Sequence, residues 1–115
     1  MKNLRVRRGE VFLVRMDNDN GLHEQSGVSV AIVVQNKNGN IYSGTTIVVF
    51  CSSRVKKEEL PTHLVFELNG KQYMLLGEII RTISKTRIYE KIGTVNPEYM
   101  EKIDKVLLIS LGLER

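Results

Sequence analysis

Short apolar runs rich in valine and isoleucine occupy the first two-thirds of this 115-residue chain. Runs of this kind favour strands, because β-branched side chains fit the pleated, half-buried surface of a sheet. Tryptophan is absent and aromatic residues make up only 6%, so the core must be built mainly from Val, Ile and Leu. The runs predict five strands, which we expect at Glu10–Met16, Val28–Gln35, Thr45–Ser52, His63–Leu68 and Gln72–Ile80.

Two of the connections carry an Asn-Gly pair, at Asn38-Gly39 and at Asn69-Gly70. This dipeptide favours the type I′ hairpin turn, whose two central residues both need a positive φ. We therefore predict a hairpin at each pair. The other two connections, Asp17–Gly27 and Arg54–Glu59, are polar, and each is typical either of a functional loop or of a solvated surface loop.

The last third of the chain changes to a helical pattern. Asn96 is a favoured N-cap residue, Pro97 suits the first helical position, and Glu98 places an acid in the first turn. Apolar residues follow at helical spacing as far as Gly112, a typical C-terminal cap. The stretch from Ser84 to Lys91 also indicates a short helical turn.

The pattern as a whole predicts a mainly β (α+β) fold, a small curled antiparallel sheet with a C-terminal helix in one domain, residues 1–115. The net charge of +4 favours polyanionic partners only mildly. Cys51 stands alone, so no disulfide framework or zinc motif is available, and we expect a buried small hydrophobe. No leader or membrane-length apolar stretch is present, so we expect a cytoplasmic protein without a membrane partner.

The two histidines, His23 and His63, do not form a metal motif, because neither has a carboxylate or thiol at ligand spacing. His63 begins a strand, where a structural hydrogen bond is the expected role. His23 shares a polar loop with Glu24 and Gln25. Phosphate-binding glycine loops and hydrolase elbows are also missing. The residues alone therefore predict a mildly basic β-rich domain with no metal and no cofactor.

Several blocks of the chain, in this order and at these spacings, resemble one family, the MazF/PemK (Kid) toxins, most nearly those of Gram-positive type. The resemblance covers nearly the whole chain and implies an SH3-like barrel of about five to seven antiparallel strands with a terminal helix. Its blocks are Arg8–Val11, Glu24–Gly27, Val33–Asn36 with Gly39-Asn40, Leu60–His63, Ile80–Ile83 with Lys85, and Ile103–Leu111.

The resemblance also implies an activity and partners. It indicates the toxin of a type II toxin–antitoxin system, a metal-independent endoribonuclease that cuts single-stranded RNA. The 2′-hydroxyl of the RNA attacks the adjacent phosphorus, leaving a 2′,3′-cyclic phosphate and a free 5′-hydroxyl. The implied partners are single-stranded RNA, a MazE-like antitoxin protein and a second copy of the chain in a homodimer.

The site residues follow from the same resemblance. The implied catalytic positions are Ser52, where the family carries a threonine or serine, Glu24, and Ser29, where the family carries an arginine. The implied RNA-binding positions are Gln25, Ser53, Asn36 and Arg81. Neither set includes a metal ligand.

Ser29 departs most from the family pattern, because a serine is neutral and too short to reach where a guanidinium would. Loss of one preorganised oxyanion donor costs about 3–4 kcal/mol in well-studied enzymes. Val30 replaces the family's proline and Ile79 its glutamine, so two further positions depart from the pattern and residue 79 has lost a polar group. We expect an attenuated endoribonuclease, unless Arg15, Arg54 or Lys56 supplies the missing charge.

The alternative is a catalytically inactive protein of the same fold that binds antitoxin or RNA without cleavage. A gyrase poison of related fold has no specific match in the chain.

Overall fold

The computed structural model describes residues 4–16, 27–55 and 60–113. These residues form six strands, two α-helices and one short 3-10 helix. In chain order they are β1 (Glu10–Arg15), β2 (Val28–Val33), α1 (Lys37–Tyr42), β3 (Thr45–Ser52), β4 (His63–Leu68), β5 (Lys71–Ser84), the 3-10 helix (Lys85–Arg87), β6 (Ile88–Thr94) and α2 (Pro97–Ser110).

The six strands form one sheet in the order β4-β5-β3-β2-β1-β6, and every neighbouring pair is antiparallel. The predicted mainly β fold with a C-terminal helix is confirmed. β5 is the longest strand and pairs with β4 through its first half and with β3 along most of its length. The β3–β5 ladder is irregular between Val49 and Cys51. Val49 pairs with Ile80 and Cys51 with Leu75, so a step of two residues on β3 corresponds to a step of five on β5.

The sheet curls until its two edges approach each other. Asn69, in the turn after β4, donates a side-chain hydrogen bond of 2.7 Å to the carbonyl of Ile92 in β6. Leu68 packs so closely on Gly93 that a Cβ added to this glycine would lie 2.8 Å from a Leu68 methyl group. Since β4 and β6 are the edge strands, these contacts define a half-barrel rather than a flat sheet.

Apolar side chains fill both faces of the curled sheet. The first cluster lies beneath α2, which contributes the buried Ile103 and Val106. The second cluster lies on the opposite face, where strand alternation sends the intervening side chains. Its buried members are Val6, Phe12, Val14, Ala31, Val33, Val48, Phe50 and Ile83.

The two Asn-Gly pairs adopt different structures. Asn69 and Gly70 have φ angles of 53° and 80° and join β4 to β5, so the predicted two-residue hairpin turn is confirmed there. The prediction at Asn38-Gly39 is wrong, because both residues lie inside α1. The physical reason is that Asn36 caps this helix, its side chain accepting a hydrogen bond of 2.8 Å from the Gly39 amide.

The C-terminal helix begins as predicted. The Asn96 side chain accepts a hydrogen bond of 2.8 Å from the Tyr99 amide, and Pro97 occupies the first turn. Gly112 follows the helix with a φ of 73°. In the described part of the chain, no helix is both long and apolar enough to cross a bilayer.

The region after β5 was only partly anticipated. A 3-10 helix forms within the stretch that indicated a short helical turn, and Ser84 caps it through the Thr86 amide at 3.2 Å. The strand β6 that follows was not predicted. It pairs with β1 from the other end of the chain, and its charged residues, such as Glu90 and Lys91, are typical of an edge strand.

Candidate active site

Ser29 and Ser52 lie at the same end of the β2–β3 ladder. Val30 pairs with Cys51 in this ladder, and the next step in the same register sets Ser29 opposite Ser52. Directly opposed residues have Cβ atoms about 4.5–5.5 Å apart and point to the same face of a sheet. The structure therefore brings together two of the three side chains predicted to be catalytic.

Ser29 is buried in an apolar setting. Only 3% of it is exposed, and its hydroxyl has no hydrogen-bond partner among the described residues. It pairs with Val14 on β1 and shares a face of β2 with Ala31 and Val33, which belong to the second cluster. The hydroxyl is thus shielded from a ligand on the surface, and its burial without a partner is energetically unfavourable.

The two other departures from the family pattern have become part of the core. Val30 packs against the first cluster and Ile79 against the second. Neither side chain offers a hydrogen bond to a ligand. Residue 79 therefore adds to the apolar character of the face that holds Ser29.

Ser52 is held by a local turn at the end of β3. Its Oγ accepts a hydrogen bond of 3.0 Å from the amide of Arg54 and donates one of 3.3 Å to the carbonyl of the same residue. Turns of this kind are common for serine, because the short hydroxyl reaches its own backbone two residues on. They fix the position of the hydroxyl and tie it to Arg54.

Beyond Ser52 the chain becomes exposed. Ser53 and Arg54 are both accessible. The Arg54 guanidinium has no hydrogen-bond or ion-pair partner among the described residues. Glu24 and Gln25, predicted to serve catalysis and RNA binding, lie outside the described residues, as does Lys56.

Arg15 does not face the candidate site. It pairs with Val28, one residue away from the Val14–Ser29 pair, so its side chain projects from the other face. Its guanidinium lies 4.9 Å from the centre of the Tyr89 ring. This placement gives no support to the suggestion that Arg15 supplies the missing charge.

Asn36 and Arg81 lie away from the two serines. Asn36 lies beyond the end of β2 that is opposite to Ser29, about 23 Å from Ser29 along the chain direction. It caps α1. Arg81 pairs with Val48, four residues before Ser52 and so about 13 Å along the strand. Their proposed contacts with RNA stay predictions.

The block around Asn36 forms a buried polar network. The Gln35 side chain donates a hydrogen bond of 3.1 Å to the Asn40 Oδ1, and the Thr46 hydroxyl donates one of 2.7 Å to the same oxygen. Asn40 Nδ2 donates in return to the Gln35 carbonyl at 2.9 Å, and the ammonium of the buried Lys85 donates to the Asn40 carbonyl. The residues from Gln35 to Asn40, which belong to one of the family-like blocks, thus hold α1 on the sheet.

His63 and Glu78 form a polar pair on the β4–β5 side of the sheet. The His63 Nε2 lies 3.0 and 3.1 Å from the two Glu78 carboxylate oxygens, and the Thr62 hydroxyl donates to Glu78 at 3.3 Å. The structural hydrogen bond expected for His63 is therefore confirmed. Partial burial acts to raise the pKa of Glu78, but the hydrogen bonds and the positive charge of His63 outweigh it and hold this pKa below its ordinary value of 4.5.

The pair lies across β5 from Ser52. His63 pairs with Leu76 on one side of β5 and Ser52 pairs with Met74 on the other, so they are about 7 Å apart along β5 and about 10 Å apart across it. Glu78 was not predicted as a site residue. The sequence signal that could have indicated Glu78 is its position two residues before the Ile80–Ile83 block.

The described residues offer no evident metal centre. No group of three or more His, Cys, Asp or Glu side chains in these ranges lies close enough together to hold an ion. Burial strongly raises the pKa of the Cys51 thiol, in line with the expected buried small hydrophobe. A groove of about 840 Å³ does exist at the opposite end of β2, and its lining includes Arg5, Arg7 and Lys37.

Comparison with known proteins decides the family. The family described as PemK-like, MazF-like toxin of type II toxin-antitoxin system matches residues 7–111. The chain belongs to this family. It is 40% identical over 114 residues to endoribonuclease EndoA of Bacillus subtilis strain 168, an alignment that covers 94% of this chain and 96% of the relative.

Solved structures of MazF toxins share the fold of this MazF-like chain. An endoribonuclease from a mycobacterial species superposes with a TM-score of 0.79 at 21% identity, covering 100% of this chain and 99% of the other. MazF from Deinococcus radiodurans gives 0.77 at 19%, covering 95% and 98%. A mycobacterial endoribonuclease in complex with its cognate antitoxin gives 0.75 at 23%, covering 94% and 96%.

In this MazF-like chain, the predicted site residues divide into three groups. Ser29, Ser52 and Ser53 lie together at one end of β2 and β3. Asn36 and Arg81 lie elsewhere on the sheet, and Glu24 and Gln25 are not described. The structure draws attention to Arg54 instead, because it is bound to Ser52 through its backbone and exposes a free guanidinium among the described residues.

Proposed function

We propose that this MazF-like chain is an endoribonuclease that cuts single-stranded RNA without a metal ion. The observation that carries the proposal is the Ser52 hydroxyl, held at the end of β3 on the face of the sheet that also bears Ser29. Membership of the toxin family and the 40% identity to an endoribonuclease support the same activity.

The proposed reaction is an internal transfer at phosphorus. The RNA 2′-hydroxyl gives its proton to a base, its oxygen bonds to the adjacent phosphorus, and the bond from phosphorus to the 5′-oxygen breaks. The leaving 5′-oxygen takes up a proton, and the products are a 2′,3′-cyclic phosphate and a 5′-hydroxyl. The Ser52 hydroxyl has one proton, so it would exchange its 3.3 Å hydrogen bond to the Arg54 carbonyl for one to a phosphorane oxygen, where developing charge makes such donors most effective.

We propose that the activity is attenuated relative to toxins that carry arginine at the position of Ser29. A buried neutral hydroxyl supplies no positive charge to the phosphorane, whereas an arginine offers a fixed charge and two donors. Loss of one oxyanion donor lowers a rate by about 10²–10³-fold. The burial of Ser29 and the apolar face of β2 that it shares with Ala31 and Val33 support this loss.

The proposed partners follow from the family. One is an antitoxin, as in the mycobacterial and Deinococcus complexes, and another is a second copy of the chain in a homodimer. We propose that residues 1–115 act as one domain, and that the protein works in the cytoplasm, where its RNA substrate is found.

The test is an RNA cleavage assay in the presence of EDTA. Protein purified free of contaminating nuclease is incubated with a long single-stranded RNA, and the new ends are mapped. We expect slow cleavage that leaves cyclic phosphate ends and that Ser52→Ala abolishes. Cleavage that survives Ser52→Ala would contradict the proposed site.

The second candidate is a protein of the same fold that binds RNA or antitoxin without cleaving. The observation that favours it is the buried hydroxyl of Ser29, which is both unpartnered among the described residues and surrounded by apolar side chains. No cleavage by the unaltered chain, with cleavage restored by Ser29→Arg combined with Val30→Pro, would support this candidate over the first.

A further inference from the structure

We propose that Arg54 supplies part of the positive charge that Ser29 cannot supply to the scissile phosphate, so that the activity is attenuated rather than absent. The inference rests on the proposed RNA-cleaving function and deepens it by naming the residue that binds the reacting group. Arg54 would enter the site from the segment after β3, whereas the missing arginine would have projected from β2.

The first argument is the attachment of Arg54 to Ser52. Two hydrogen bonds, of 3.0 and 3.3 Å, join the Ser52 hydroxyl to the amide and carbonyl of Arg54. The backbone of the arginine is therefore held within hydrogen-bond distance of the proposed catalytic hydroxyl. A phosphate that accepts a hydrogen bond from Ser52 would lie within the range of the guanidinium two residues on.

The second argument is that the Arg54 side chain is not already used. It is exposed, and its guanidinium makes no hydrogen bond or ion pair with any described residue. An exposed arginine without an acidic partner in the described ranges can offer its donors to a phosphate, which its planar fork matches in geometry.

The third argument is that the other described arginines lie elsewhere. Arg15 stacks on Tyr89 on the opposite face, and Arg87 donates to the Arg15 carbonyl at 3.2 Å, at least two strands from β3. Arg81 is about 13 Å from Ser52 along the sheet. Arg8 pairs with Asp104 at 2.6 Å, and Arg5 and Arg7 line the groove at the far end of β2.

The lysines of the described ranges are also accounted for. Lys85 is buried and bound to the Asn40 carbonyl, and Lys91 pairs with Glu10 at 2.9 Å. Lys71 and Lys102 lie over aromatic rings of β5 and α2. The remaining ones, Lys37 and Lys105, belong to α1 and α2. Among described cations, Arg54 is thus the one adjacent to Ser52.

The chemistry of arginine limits what Arg54 can do. A guanidinium stays protonated at all ordinary pH values, so Arg54 would stabilise negative charge on the phosphorane oxygens and transfer no proton. Its effect should therefore appear mainly in kcat, because the charge develops in the transition state. The same contact should add one phosphate interaction to RNA binding.

The experiment compares Arg54→Gln with Lys105→Gln, which removes the same charge from an exposed position on α2. We expect Arg54→Gln to lower the cleavage rate by about 10²-fold, mainly in kcat and by the same factor at every pH tested. Lys105→Gln should leave the rate unchanged. Equal rates for the two variants, or a pH-dependent deficit in Arg54→Gln, would overturn the proposal.

A second readout does not require cleavage. Binding of a fully 2′-O-methylated RNA, which lacks the attacking hydroxyl, is measured at several salt concentrations. Arg54→Gln should reduce the slope of log K against log salt by about 0.7, the value for one phosphate contact on a single strand, and Lys105→Gln should not. If the unaltered chain never cleaves RNA, the proposed function fails and so does the catalytic role of Arg54, whereas this slope still shows whether Arg54 contacts an RNA phosphate.

Discussion

The Nε2 atom of His63 lies 3.0 Å from one carboxylate oxygen of Glu78 and 3.1 Å from the other. This contact joins the first residue of β4 to the irregular part of β5. It also holds the pKa of Glu78 below its ordinary value of 4.5. Because a depressed carboxyl pKa means that folding favours the charged form, the pair links stability to pH.

We expect Glu78→Gln to lower the free energy of unfolding at neutral pH. The contribution of Glu78 is fully present above the unfolded pKa, and it is lost as pH falls through the lower folded pKa. The difference between Glu78→Gln and the unaltered chain should therefore shrink in acid. Urea unfolding at several pH values measures it, with the exposed Glu67→Gln on β4 as the control; a difference that grows on acidification would contradict the assignment.

A second prediction concerns the polar network under α1. Asn40→Ala removes the oxygen that accepts from both Gln35 and Thr46, so it should lower the free energy of unfolding by about 1–3 kcal/mol. Asn38→Ala, an exposed change in the same helix, is the matched control and should have little effect. Equal losses for the two variants in denaturant unfolding would show that the network is not the source.

A third prediction tests the packing of α2 on β5. A Cβ added to Gly77 would lie 2.6 Å from the Thr62 carbonyl oxygen and would overlap a methyl group of Val106. Gly77→Ala should therefore destabilise the fold by about 1–3 kcal/mol. Gly44→Ala is the control, because nothing lies within 4 Å of its added Cβ; thermal unfolding of both variants distinguishes them.

A fourth prediction concerns the buried hydroxyl of Ser29. Ser29→Ala removes a polar group that has no partner among the described residues, so it should raise the free energy of unfolding by about 1 kcal/mol. Ser52→Ala, which removes the turn to Arg54, should lower it by about 0.5–1.5 kcal/mol. A loss of stability in Ser29→Ala would mean that the hydroxyl has a favourable partner.

The elements that could be predicted from the sequence are those with local causes. The Asn96 cap and the proline that follows it begin α2, and Asn69-Gly70 makes a two-residue turn whose conformation depends on those residues alone. Asn38-Gly39 has the same dipeptide but forms a helix. There the deciding contacts come from Asn36 and Gln35 outside the pair, and a Cβ at Gly39 would lie 2.9 Å from the Gln35 side chain.

Partners distant in sequence explain what was missed. β6 is stabilised by pairing with β1, including the ion pair between Glu10 and Lys91, and no pattern within β6 reveals that partner. Prediction of the site from the sequence is limited for the same reason. The resemblance indicated Ser29 and Ser52 together, but the burial of Ser29 depends on neighbouring strands, among them β1, whose buried Val14 pairs with it.

The surroundings of Ser29 would make an arginine hard to accommodate at this position. A guanidinium restored at this position alone would meet an apolar face that Ile79 helps to form, with no acid near it among the described contacts. Desolvating that charge would cost stability before any catalytic gain could be selected. An arginine at this position would therefore need compensating changes among these apolar neighbours before the protein could tolerate its charge.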